Sequence, residues 1–434
     1  MSSHLNTKMM SGALVVGACL LPLGVTLFLH VIWPGKGKPV YDRDLTPERI
    51  ELVPKANAFY VLEKGAKRLH WPEENRPQIA GMAESNPRWE WSTELATNLL
   101  ARNQAALAVL DEVLALGKLQ IPTPPTFDDD DRYLSGWGGI AMLASIRSAV
   151  LFREGREPEA VDLALKLIDL GHLYQNCDGL ETHYRWGRTA KKNGLARLRQ
   201  MVGQTTLPPD RWKAILKRLA ADGADEKALT NVFKAMYQVQ ARVVEDLSAG
   251  KVTGTNEGDW LARAVGKTVG MPTLNVGATK ELFAQSARVG LKMIPRHFAE
   301  ISLRELPKYP WESSTWSKLL RGNAYGEFWY TAFDLRMPGI LSAKCRENAT
   351  VTGTRLVIAL HCYQVEHGAL PESLDALVPE FFEHVPTDDF DGKPFRYSRA
   401  KRIVYSVEDD LVDDGGRGFE RAEKTHDLAF ELGF

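Results

Sequence analysis

Residues 9–33, MMSGALVVGACLLPLGVTLFLHVIW, contain no aspartate, glutamate, lysine or arginine. As one helix they would extend about 37 Å at 1.5 Å per residue, enough to cross a hydrocarbon core of ~30 Å with some tilt. Lys8 precedes the run and Trp33, Lys36 and Lys38 follow it, which gives both ends an interfacial character. Pro22 is tolerated in such a helix. A cleaved signal peptide and a lipoprotein signal ending at Val16-Gly17-Ala18-Cys19 are the alternatives. The run is long for the first and lacks a small-x-small site, and it continues well past Cys19, against the second. The expectation is therefore a transmembrane anchor at 9–33 behind a short tail, residues 1–8. Lys36, Lys38 and Arg43 outnumber Lys8, yet long domains translocate largely regardless of such charge. The expected topology is a single pass with the C-terminal mass outside the cytoplasm, on the periplasmic side.

The chain has 434 residues and a formal charge of −1, long enough for several domains and without the basic field that nucleic acid requires. Cys345 and Cys362 would lie ~25 Å apart on one helix, too far for a disulfide. No CxxC pair suggests a zinc or thioredoxin-type site.

Residues 34–91 read as a connector rich in proline and charge. From 92 to 339 helical periodicity dominates, with helices expected at 92–118, 137–174, 181–202, 210–222, 225–249 and 279–301. Within 137–174 the stretch GREPEA (155–160) is a turn that opens a second helix at Pro158-Glu159. That hairpin has a tetratricopeptide-like texture, but no second copy follows at that period. Asp128–Asp131 read as a solvated loop before a helix, with a cation site as the alternative. Trp311, Trp316, Trp329, Tyr309, Tyr325 and Tyr330 crowd 309–330, either as core or as the lining of a small-ligand groove.

A long helix is expected over 340–367, ended by Gly368. Short extended pieces follow. Asp391-Gly392 makes a turn, and PFRYS and RIVYSV pair as a hairpin. Phe395 and Tyr397, with Ile403, Tyr405 and Val407, would form the face that packs on the helix. The fold class expected is mainly α: an N-terminal transmembrane helix, an α-helical middle domain over 92–339 and a small α+β module over 340–434.

The order of residues in that module resembles the C-terminal part of the type II secretion major pseudopilin. The matching positions are Tyr363, Gly368, Pro371, Leu374, Leu377, Pro386, Asp388, Phe390, Gly392, Pro394, Phe395, Tyr397, Tyr405, Ser406, Asp410, Gly415 and Gly416. The resemblance implies a calcium-binding loop after the hairpin, with Asp410 and Asp427 carried over as ligands. Asp413 and Asp414 are further candidates from composition, since hard oxygen donors suit Ca²⁺. Solvated turns are the alternative for all four. Glu408, Asp409 and Leu411 stand where the family has small residues, and Asp389 replaces a proline. The Gly-Phe-Thr-Leu-x-Glu processing site of pseudopilins does not border 9–33, so the chain does not look like a processed fibre subunit.

No HExxH, Walker A, GxSxG or GxGxxG motif is present. The function expected is a non-enzymatic, membrane-anchored interaction or scaffold protein with a protein partner. Two alternatives stand beside it: an envelope hydrolase using Asp409, Asp410 or Asp413, and a binder of small ligands at 309–330.

Overall fold

The computed structural model describes residues 39–84, 90–126, 133–249, 274–306, 323–334, 337–418 and 426–434. Among them the chain is mostly helical. The helices are α1 Ala58–Ala66, α2 Arg76–Ala83, α3 Thr93–Arg102, α4 Gln104–Leu107, α5 Leu110–Leu116, α6 Tyr133–Arg153, α7 Glu157–Gln175, α8 Glu181–Val202, α9 Pro209–Arg218, α10 Glu226–Ser248, α11 Val276–Met293, α12 Ala324–Asp334 and α13 Met337–His367. Three strands follow, β1 Arg396–Ser398, β2 Ile403–Ser406 and β3 Leu428–Glu431.

The expected anchor at 9–33 lies outside the described residues, as do Asp128–Asp131 and most of the aromatic stretch 309–322. Among the described residues, the helix long and apolar enough to cross a membrane is α6, in mid-chain. This corrects the expected fold class: among the described residues the chain is mostly helical, the helix both long and apolar enough to cross a membrane lies at Tyr133–Arg153, and a small three-stranded sheet closes the C-terminal end. The apolarity of α6 has a structural cause. Its apolar window is 78% buried, and it packs against α1, α2, α3, α4, α7 and α8. A helix covered on every side must be apolar all round.

The chain divides into two compact units. The first comprises residues 1–46, 237–290 and 303–336. Its described part holds Tyr237 against Asp42 at 2.7 Å, Arg288 against Asp44 at 2.9 Å, and Phe283 edge-on to Tyr330 at 5.4 Å. The second comprises 47–236, 291–302 and 337–434.

In the second unit the turn between α6 and α7 holds Gly155 in the left-handed region, and Pro158 occupies the first turn of α7. α8 lies against α6, α7 and α13. Leu165 and Ile168 of α7, Leu198 of α8, Trp212 of α9 and Leu356 of α13 share one core with Phe395, Val404 and Phe430 of the sheet region. Cys177, Cys345 and Cys362 are buried and unpaired.

The sheet is antiparallel in the order β1-β2-β3, with Tyr397 opposite Val404 and Tyr405 opposite Ala429. Gly353 lets it approach α13, since a Cβ there would lie 2.3 Å from the Phe430 ring. Every residue of β2 is buried. Val404 and Val407 enter the core shared with α13, whereas Ile403 and Tyr405 are covered on the other face by Gly416. The expected alternation thus had the strand's helix-facing side wrong at 403 and 405. A central strand covered on both faces carries no polar–apolar contrast to read.

One buried ion pair joins the helices. Lys191 of α8 and Glu347 of α13 are 0% and 3% exposed and bond directly. Glu347 also accepts from Gln175 Nε2 at 2.9 and 3.0 Å and from Tyr184 OH at 3.0 Å. Lys191 donates to the Gly223 carbonyl at 2.8 Å. Glu347→Ala leaves a buried ammonium without its partner and should cost about 3–5 kcal/mol in denaturant melts. The double variant Lys191→Met, Glu347→Leu removes both charges and should recover most of that loss; equal destabilisation of the two would show that the pair contributes only volume.

Candidate functional site

The acidic C-terminal loop begins on a rigid base. Asp388 is fully buried and its carboxylate accepts from Phe390 N at 3.1 Å, Val407 N at 3.0 Å, Ser406 Oγ at 2.9 Å and an Arg396 guanidinium nitrogen at 3.0 Å. Burial raises its pKa in spite of these bonds. This one carboxylate ties the 388–396 turn to the end of β2, where the loop starts.

A short 3-10 turn, Glu408–Asp410, follows, and Leu411 takes φ 60° beyond it. Asp410 is exposed and accepts the Val412 N–H at 3.0 Å. Asp413 accepts the Gly415 N–H at 2.9 Å and the Tyr405 hydroxyl at 3.1 Å. Aspartates commonly turn a chain by accepting the N–H two residues on. Gly416 has φ 80°, and a Cβ there would lie 2.2 Å from Ile403 Cδ1, so glycine alone suits the position.

The chain returns at 426–427, and the two residues hold the loop in different ways. The His426 N–H donates to Asp414 Oδ2 at 3.0 Å, and the Asp427 N–H donates to the Arg417 carbonyl at 3.0 Å. Asp427 Oδ2 accepts the Gly416 N–H at 2.7 Å. Asp427 is 3% exposed, and among the described residues its Oδ1 has no hydrogen-bond partner. Burial first, then the charges of Asp414 and Asp413, push its pKa up to about 6, against the pull of the Gly416 and Asp414 backbone N–H groups. Asp413, Asp414 and Asp427 therefore belong to one electrostatic cluster, whereas Asp410 bonds Val412.

A second cluster lies at the loop's start. Glu408, Asp409 and His426 each offer a ligand atom, all within 4.8 Å of one another, an arrangement able to hold a metal ion. His426 Nε2 is 3.0 Å from Glu408 Oε2 and 3.6 Å from Asp409 Oδ1. α13 supports both carboxylates: Arg346 reaches Glu408 Oε2 at 2.5 Å and Ser342 Oγ donates to Asp409 Oδ2 at 2.9 Å. Burial raises the pKa of Glu408, opposed by Arg346 and His426. Sequence reasoning took Glu408 as a replaced glycine and did not single out His426. The adjacency of His426 to Asp427, on the segment that closes the loop, was the available signal.

Elsewhere, the described part of the aromatic stretch has Tyr325 stacked on Phe328 at 6.3 Å and Trp329 edge-on to Tyr325 at 6.2 Å. Tyr330 is 1% exposed and belongs to a core, while Phe328 is 56% exposed. No family model, curated protein or solved structure matches this chain.

The raised pKa of Asp427 fixes the sign of a pH effect. The folded state holds this proton more tightly than the unfolded chain, whose carboxyl titrates near 3.8. Its contribution is present in full below that value and is lost as pH rises through about 6. In metal-free buffer, Asp427→Asn should melt a few degrees above wild type at pH 7.5 and level with it near pH 4. A difference independent of pH would remove Asp427 as the titrating group.

Proposed function

We propose that this chain is a non-catalytic, membrane-associated interaction or scaffold protein whose C-terminal module is stabilised by calcium in the acidic loop. The observation that carries the reading is the unpartnered Oδ1 of Asp427, buried beside the charges of Asp413 and Asp414. A buried carboxylate oxygen without a donor costs free energy that a cation would recover. Three carboxylates beside a Gly-Gly turn offer the hard oxygen donors that Ca²⁺ takes, with carbonyls and water to complete its shell. The resemblance to the type II secretion major pseudopilin points to the same ion, and Asp410 enters the reading through that resemblance alone. The aspartates that shape the loop by bonding their own backbone are poorly placed for acid–base work, which favours a structural role.

Calcium should raise the melting temperature of the full-length chain over that in EDTA, because binding only the folded state stabilises it, by about 2.7 kcal/mol at a hundredfold excess over Kd. Asp427→Asn should abolish the rise. A wild-type melt that calcium leaves unchanged would end the calcium reading.

The membrane part of the proposal is a single pass with the C-terminal module outside the cytoplasm. The full-length chain should then stay in the membrane pellet after carbonate washing, and protease added to intact spheroplasts should cut the C-terminal module. Release by carbonate would remove membrane attachment, and protection from protease would reverse the orientation.

A further inference from the structure

We infer that Glu408, Asp409 and His426 form a second, separate site, for a divalent first-row transition ion of the zinc or cobalt type. The donor set is the first reason. One imidazole nitrogen with two carboxylates suits a borderline ion, whereas calcium takes oxygen donors alone and more of them.

Spacing is the second reason. Ligand atoms bound at about 2.1 Å, at angles from octahedral to tetrahedral, lie ~3.0–3.4 Å apart. The gaps from His426 Nε2 to Glu408 Oε2 and to Asp409 Oδ1 are 3.0 and 3.6 Å. A shift of a few tenths of an ångström at Asp409 brings its gap to the imidazole into that range, and the Glu408 and Asp409 oxygens lie within 4.8 Å of each other.

Support for the ligands is the third. It comes from Ser342 of α13, and for Asp409 alone. Ser342 occupies Asp409 Oδ2, so that Oδ1 is the oxygen near the imidazole. Hydrogen bonds of this kind to a ligand's second atom orient it toward a metal. His426 is carried on the return segment, with its N–H on Asp414. A bound ion therefore links a loop start fastened to α13 with a loop end fastened to β3. Glu408 is buried, while the Asp409 and His426 side chains are 36% and 31% exposed, which leaves an approach from solvent and a coordination position for water.

The competing cation is Arg346, which shares Glu408 Oε2. Its side chain is 44% exposed, so it can turn outward when an ion takes that oxygen. Removing it should tighten metal binding, the opposite of what loss of a supporting residue would do.

Cobalt titrated into the full-length chain tests the site, since ligand-field absorption reports a nitrogen- and oxygen-bound ion directly. One equivalent should develop the band with micromolar affinity, zinc should displace it, and Arg346→Gln should bind several-fold tighter. His426→Ala should lose the band. His426 also ties the loop, so a second measurement uses wild type alone: in a ¹⁵N-histidine-labelled chain, one equivalent of zinc should move the ring resonances of a single imidazole, assigned to His426 with His426→Gln. No cobalt band on the folded wild type, a band retained by His426→Ala, or a zinc shift at another histidine would overturn the proposal and leave the cluster as ion pairs. Asp427→Asn separates this site from the calcium reading. It should abolish the calcium effect and spare the cobalt band, so either site can fail without the other.

Discussion

The buried contact between Lys191 and Glu347 sets the rotation of α13, and the placement of the C-terminal loop follows from it. Glu347 must point toward α7 and α8 to reach Gln175, Tyr184 and Lys191. Its neighbours are then committed to other directions. Lys344 meets Asp389 at 2.8 Å, Cys345 enters the core, Arg346 meets Glu408, and Asn348 bridges the Ala224 N–H and Asp389. A buried charge pair contributes little net stability compared with apolar packing, but it tolerates only one arrangement. Here that arrangement fixes which face of α13 meets the 408–410 turn, so the pair acts on the site through helix register rather than through contact.

α13 also shows why some features were legible in the sequence and others were not. Its extent was readable from residue 340 to the stop at Gly368, three residues short of its start at Met337, and so were the start of α7 at Pro158 and the β1–β2 hairpin. Its orientation was not. Lys344, Ala349, Val357 and Ala359 are all buried, on four different sides of the helix, so no apolar stripe marks an inner face. The same cause acts on two other elements. α6 has the composition of a membrane helix because six helices pack against it. The face of β2 was misjudged because the Gly415-Gly416 turn covers Ile403 and Tyr405 on the side expected to be open. Periodicity reports one-sided burial, and these elements are buried on more than one side.

The site was half legible for a different reason. Asp410, Asp413 and Asp414 stand out as a run, and Asp427 was reached through the pseudopilin resemblance. Nothing local distinguishes their environments, yet Asp410 is exposed while Asp427 is almost fully buried with one oxygen unpartnered. His426 was passed over as one of ten histidines. Its importance comes from pairing across the loop with Glu408, a contact between residues far apart in the chain that no local motif encodes.

Residues 426 and 427 give the loop its division of labour. They are adjacent, yet the His426 side chain meets Glu408 and Asp409 while the Asp427 carboxylate meets Gly416. In extended backbone, consecutive side chains point to opposite sides, so one short segment leading into β3 closes two separate parts of the loop. The chemistry differs on the two sides. Around Asp427 the donors are carboxylates alone, whose mutual repulsion and burial raise the cost of ionisation. Around His426 an imidazole and the guanidinium of Arg346 relieve that repulsion at Glu408. A hard cation is therefore favoured where the donors are all carboxylate oxygens, with Arg396 Nε 4.0 Å from Asp413, and a borderline ion where nitrogen already sits among them. Both ions would act on the same segment, because each would pull the start of β3 toward the loop.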